Sequence, residues 1–143
     1  MRITLERPAV SQAHHLWYTL GMAPAGPEPR EPILRVVFFR SASGSEPVRE
    51  WLASLRREDR RAVGGDIKTA QYGWPLGMPL IRKLEPGLWE VRSHIAEGIA
   101  RVMFTVDGGL MVLLHGYIKK SAKTPAAELK TARARLARLQ GVT

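Results

Sequence analysis

The side chains in this sequence best suited to chemistry are Arg92, Arg101, His115, Tyr117 and Lys119. They fall in three segments, Leu88-Trp89-Glu90-Val91-Arg92, Arg101-Val102-Met103-Phe104 and Leu113-Leu114-His115-Gly116-Tyr117-Ile118-Lys119-Lys120. Apolar positions alternate there with cationic or proton-transferring ones, the pattern of strands with one buried face. A sheet of this kind presents a surface suited to handling a phosphodiester without a metal. RNA cleavage of that type needs a base for the 2′-hydroxyl proton, an acid for the departing 5′-oxygen, and cations for the dianionic transition state. Arginine and lysine supply the cations; a histidine or lysine with a tuned pKa supplies the proton transfer.

Alternation sorts these residues by face. Trp89 and Val91 point one way, and Glu90, Arg92 and His94 the other. Val102, Phe104 and Val106 share a face opposite Ile99, Arg101, Met103 and Thr105. In the third segment Val112, Leu114 and Ile118 read as core, with Met111, Leu113, His115, Tyr117 and Lys119 opposite. With matching registers, Arg92, Arg101, His115, Tyr117 and Lys119 converge, whereas a one-residue slip would separate them. Two arginines on neighbouring strands repel unless an anion lies between them, so both are candidate phosphate ligands. His115 reads either as the acid or base or as a half-buried strand histidine bonded to backbone. Tyr117 reads as a base-stacking residue or as an aromatic covering the sheet. Lys119, Lys120 and Lys123 are phosphate contacts or a solvated strand end. Lys83 and Arg82 are weaker candidates of the same kind. Arg56, Arg57, Arg60 and Arg61 form a solvated helix face or a nucleic-acid or ribosome contact.

The elements that must position these residues follow from punctuation and periodicity. Leu34–Phe39 reads as a strand. Ser45-Glu46-Pro47 opens a helix, with Ser45 as N-cap and Val48, Trp51, Leu52 and Leu55 as its apolar stripe. A second helix covers about 57–72 with Ala62, Ile67 and Ala70 inward, weakened by Gly64-Gly65. After a loop at 73–80, strands are expected near 81–84, 88–94, 99–106 and 110–119. Turns at Glu85-Pro86-Gly87 and Asp107-Gly108-Gly109 join them. A final basic helix runs from about Pro125 to Leu139, with Leu129, Ala132, Leu136 and Leu139 on one side. The expected class is α+β: an antiparallel sheet of three to five strands, two N-terminal helices packed on it, and a C-terminal helix. Residues 33–143 form the domain. Residues 1–32, with a proline-rich stretch at 21–32, form an extension or arm, in which 9–20 is either a short amphipathic helix or a loose terminus.

The formal net charge is +9 over 143 residues. Residues 1–32 are neutral on balance, so the domain carries the whole excess, 19 basic residues against 10 acidic. Such a domain attracts polyanions in a salt-dependent way. The absence of cysteine excludes disulfides, thiolate metal sites and a cysteine nucleophile. The four histidines lack metal-ligand spacing, and His94 and His115 have no carboxylate neighbour in sequence, so neither metal nor cofactor is expected. No Walker loop, dinucleotide fingerprint or nucleophile elbow is present. No apolar run reaches the roughly 20 residues of a bilayer span, and the N-terminus is unlike a signal peptide. The expected location is the cytoplasm, away from membranes.

The run Arg82-Lys83-Leu84, Gly87-Leu88-Trp89-Glu90-Val91-Arg92, Arg101-Val102-Met103-Phe104 and His115-Gly116-Tyr117-Ile118-Lys119-Lys120, followed by Thr124-Pro125, resembles the HigB-like, phage-related toxins of the RelE/ParE superfamily. The resemblance spans about residues 34–139. It implies a metal-independent, ribosome-dependent endoribonuclease that cuts mRNA and inhibits translation. It also implies a cognate antitoxin, often a helix-turn-helix protein, with operator DNA reached only through the antitoxin complex. By strand position the family's working cations map onto Arg92, Arg101 and the Lys119/Lys120 pair. RelE-type toxins often add a tyrosine on the last helix. Here that region offers Ser121 and Thr124 instead, which moves the acid–base role toward His115, Tyr117 or a lysine. The same fold allows a ParE-like gyrase inhibitor acting by binding, or an inactive, antitoxin-bound partner in a DNA-binding repressor complex.

Overall fold

A computed structural model describes residues 10–12, 32–119 and 125–141. In chain order the elements are β1 (Val10–Gln12), β2 (Arg35–Phe39), α1 (Pro47–Ser54), α2 (Arg57–Gly73), β3 (Ile81–Glu85), β4 (Leu88–Ile95), β5 (Gly98–Asp107), β6 (Leu110–Lys119) and α3 (Ala126–Leu139). The strands form one sheet in the order β1-β2-β6-β5-β4-β3. The expected α+β architecture is present: α1 and α2 cover one face, and α3 covers the other.

β3 to β6 form the antiparallel meander, whereas β2 joins β6 in parallel. A long crossover through α1, α2 and the first three meander strands makes that pairing possible. Residues 10–12, expected within either a helix or a loose terminus, pair antiparallel with β2. Pairing there covers the backbone edge of an apolar strand, which outweighs a weak helical periodicity. The remainder of segment 9–20 lies outside the described residues.

The first face packs Leu34, Val36, Phe38, Val91, Val102, Phe104, Met111 and Leu113 against Val48 and Leu52 of α1 and Val63, Ile67 and Ala70 of α2. Val63, not Ala62, completes the inward stripe, since 63, 67 and 70 share one helix face. That stripe carries α2 unbroken through Gly64-Gly65. The α1 N-cap is Glu46 rather than Ser45, because Pro47 takes the first helical position. Ser45 instead bonds the Ser41 hydroxyl at 2.7 Å, while Glu50 accepts from the Glu46 N–H at 3.0 Å. Trp51 of α1 lies so close over β6 that a Cβ at Gly116 would overlap its ring. The second face packs Val37, Phe39, Leu88, Met103, Val112 and Leu114 against Ala132 and Leu139 of α3.

β6 does not alternate uniformly. Met103 pairs with His115 but Phe104 pairs with Leu113, so Leu114 is an extra residue in the strand. Before this bulge Met111 and Leu113 face α1 and α2 while Val112 and Leu114 face α3. The expected assignment of residues 111–114 was the reverse. After the bulge, His115, Tyr117 and Lys119 stand on the α3 face.

Candidate functional site

On the α3 face the registers build three cross-strand rows. The first is Arg82, Glu90, Met103 and His115; the second Arg92, Arg101 and Tyr117; the third His94, Ile99 and Lys119. Residues directly opposite in an antiparallel pair point the same way. Arg92, Arg101, His115, Tyr117 and Lys119 therefore share one surface, because the bulge at Leu114 shifts the parity of β6 into agreement. Lys83 does not join them. It lies opposite Trp89, on the α1/α2 side, with its ammonium 5.9 Å from that ring's centre. Arg82 takes the corresponding place on the α3 side. Lys120 and Lys123 lie outside the described residues.

The surface is more enclosed than an open cationic sheet. Arg101 and Glu90 are both fully buried, with Arg101 Nη1 3.6 Å from Glu90 Oε1. Arg92, 17 % exposed, brings Nε to 4.0 Å from the same oxygen. The anion required between two facing arginines is thus supplied within the chain, by Glu90. Burial pushes the Glu90 carboxyl above the usual carboxylate range, against the opposing pull of Arg101, Arg82 and Arg92. Three guanidinium groups surround this one carboxylate, leaving an excess of positive charge at the edge of α3.

His115 has a carboxylate partner that its sequence neighbourhood does not reveal. Its Nε2 lies 3.1 Å and 3.3 Å from the two Glu128 carboxylate oxygens on α3. Arg135, two helical turns further along, donates from Nη1 to the Leu114 carbonyl at 2.8 Å and to His115 Nδ1 at 3.2 Å. A guanidinium only donates, so Nδ1 must present its lone pair and Nε2 carries the hydrogen that Glu128 accepts. Both ring nitrogens are thereby engaged by α3. The ring also stacks on Tyr117, at a centroid distance of 5.7 Å and an interplanar angle of 20°. Burial lowers the Arg135 pKa, with Glu128 acting in the opposite direction, and the guanidinium lies 5.8 Å from the Phe39 ring centre.

Sequence reading missed Glu90, Glu128 and Arg135 as members of this site, and held Arg82 only as a weaker candidate. Glu90 was detectable, since it alternates in step with Arg92. Glu128 and Arg135 stand seven residues apart beside the Leu129, Ala132 and Leu136 stripe, a spacing that returns to the same helix face. Nothing in sequence links that face to His115. Among the described residues, no three His, Cys, Asp or Glu side chains gather as a metal site. No described helix is long and apolar enough to cross a membrane.

Residues 50–137 match the family described as Phage derived protein Gp49-like (DUF891). The match runs from α1 to α3 and takes in every row of the α3-side surface. No curated protein matches the chain.

Proposed function

The chain belongs to the phage-derived Gp49-like family, a toxin-type family associated with toxin–antitoxin systems, and from that premise we propose that it is a HigB-like, ribosome-dependent endoribonuclease. A cognate antitoxin goes with such a toxin. The observation that carries the reading is the row Arg92, Arg101 and Tyr117, flanked by Lys119 and His115 on the same face. In this reading the 2′-oxygen attacks phosphorus and the 5′-oxygen leaves, giving a cyclic phosphate. Arg92 and Lys119 stabilise the charge that develops, Arg101, buried beside Glu90, adds its positive field from beneath the surface, and His115 transfers a proton. Lys120 and Lys123, outside the described residues, are taken as further phosphate contacts on the strength of the family resemblance and their charge, and Tyr117 stacks beside the imidazole; Lys83 faces away and contributes only general attraction. Because Glu128 and Arg135 hold both nitrogens of His115, proton transfer by this residue requires α3 to withdraw from it.

That same engagement favours a second reading, a ParE-like toxin that inhibits gyrase by binding and needs no free acid or base. Induction without antitoxin, with transcript 5′ ends mapped across the transcriptome, separates the two. Discrete new 5′ ends within coding regions, with translation arrested, are expected. Arg92→Lys, which keeps the charge but loses the planar fork, is expected to relieve toxicity. A DNA-damage response without cleaved transcripts would move the assignment to gyrase. A harmless isolated chain would leave an inactive partner in an antitoxin-bound repressor complex.

A further inference from the structure

The third row stands apart from the rest of the α3 face. His94 on β4 and Lys119 on β6 both lie opposite Ile99 of β5, one on each side. β3 begins at Ile81, opposite Val91, so no β3 residue flanks the outer side of His94. His94 is exposed, and among the described residues its imidazole has no hydrogen-bond or ion-pair partner. His115, in the first row, is the opposite case, since Glu128 and Arg135 hold both its ring nitrogens. Of the two imidazoles on this face, one is engaged and the other is available.

We infer that His94 is a catalytic residue, the general base of RNA cleavage, with Lys119 as its acid, and that it works while α3 holds His115. This rests on the RNA-cleaving reading above and gives the proton transfer to a residue that needs no movement of α3. Neighbouring strands lie about 4.8 Å apart, which sets the Cβ atoms of His94 and Lys119 about 10 Å from one another across Ile99. Displacement at phosphorus puts the attacking and departing oxygens on opposite sides, with a proton-moving group about 3 Å beyond each. Two side chains rising from the sheet on either side of Ile99 bracket such a phosphate. Arg92, two residues before His94 and 17 % exposed, borders the gap from the second row. In the reaction His94 takes the 2′-hydroxyl proton and the 2′-oxygen bonds to phosphorus. The bond to the 5′-oxygen breaks, and the Lys119 ammonium protonates that oxygen. The imidazolium and neutral amine that result return to their starting states through water. The other charged or titratable groups around His94 are Arg101 and Tyr117 in the second row, Arg82, Glu90 and His115 in the first, and Glu97 in the turn after β4, which acts on Arg56.

The test uses the full chain and ribosomes programmed with a short mRNA, with single-turnover cleavage followed between about pH 5 and 8, the range in which an imidazole changes charge. His94→Asn is expected to cleave about 100- to 1000-fold more slowly and to lose the rise in rate with pH that an imidazole base produces. Because this side chain is exposed, the urea midpoint and the affinity for a 2′-O-methyl mRNA should match the wild type. A second mRNA carries sulfur in place of the departing 5′-oxygen, which leaves without a proton. Lys119→Met, slowed about tenfold or more on the ordinary mRNA, should recover on the sulfur substrate, whereas His94→Asn stays slow on both. The inference is overturned by a His94→Asn that cleaves at the wild-type rate, keeps the pH rise or is rescued by sulfur, and by a Lys119→Met that sulfur does not rescue. A wild type that leaves the mRNA intact defeats the endonuclease reading and the inference with it. Wild-type cleavage that persists in His94→Asn defeats the inference alone.

Discussion

Removing the Arg101 guanidinium would strand the Glu90 carboxylate in a fully buried position, and breaking a buried pair from one side costs about 3–5 kcal/mol. Arg101→Ala is therefore expected to lower the urea midpoint sharply; a loss below about 1 kcal/mol would show that the pair is not coupled. Its toxicity phenotype alone cannot report on catalysis, which makes Arg92→Lys the cleaner functional probe. The sign of the Glu90 pH effect also follows from its environment. The folded chain binds this proton more tightly than the unfolded chain, so the resulting stability is fully present below the ordinary carboxylate pKa and is lost as pH rises through the raised value. Urea melts of wild type and Glu90→Gln across that window should show the wild type losing ground with rising pH, then levelling off. A constant difference would contradict the raised pKa. Gly116 is fixed by contact rather than by backbone angle, because Trp51 fills the space its Cβ would need. Gly116→Ala should cost about 2 kcal/mol by the same melts.

At the scale of elements, α3 is held by packing more than by charge. Arg133 reaches Glu85 at 2.6 Å and 2.9 Å, but the pair is solvent-exposed. Arg133→Ala should cost at most about 1 kcal/mol, whereas Leu139→Ala, at a fully buried position, should cost about 2–5 kcal/mol. Thermal melting that ranks them the other way would reassign what anchors α3. The boundaries of the helices and meander strands were legible because Pro, Gly and Asp-Gly-Gly punctuate them and apolar residues repeat with clear period between. The bulge at Leu114 was not legible. An inserted residue leaves a run of Met-Val-Leu-Leu-His apolar on both sides, and only the cross-strand partner reveals it. That Arg92 and Arg101 share a face could be read from alternation in each strand, whereas Tyr117 joins them only through the bulge. The engagement of His115 by Glu128 and Arg135 could not, since it depends on where a helix from a later part of the chain settles.

At the scale of the whole molecule, two helices shield one face of the sheet, and a basic helix only partly covers the other. On that second face Arg82, Arg92 and Arg101 all act on the single buried carboxylate of Glu90. RNA affinity should fall linearly in a plot of log affinity against log salt, with a slope set by the phosphates neutralised. A salt-independent affinity, measured by anisotropy, would mean that the cationic rows do not meet the backbone. The parallel pairing of β2 with β6 also bears on how the protein emerges during synthesis. About 70 residues separate the end of β2 from the start of β6, so at roughly 5–20 residues per second β2 waits several seconds for its neighbour. The cationic rows need β5 and β6 together, and α3 is made after both. A nascent chain still short of β6 thus lacks the completed rows on which the proposed RNA chemistry depends.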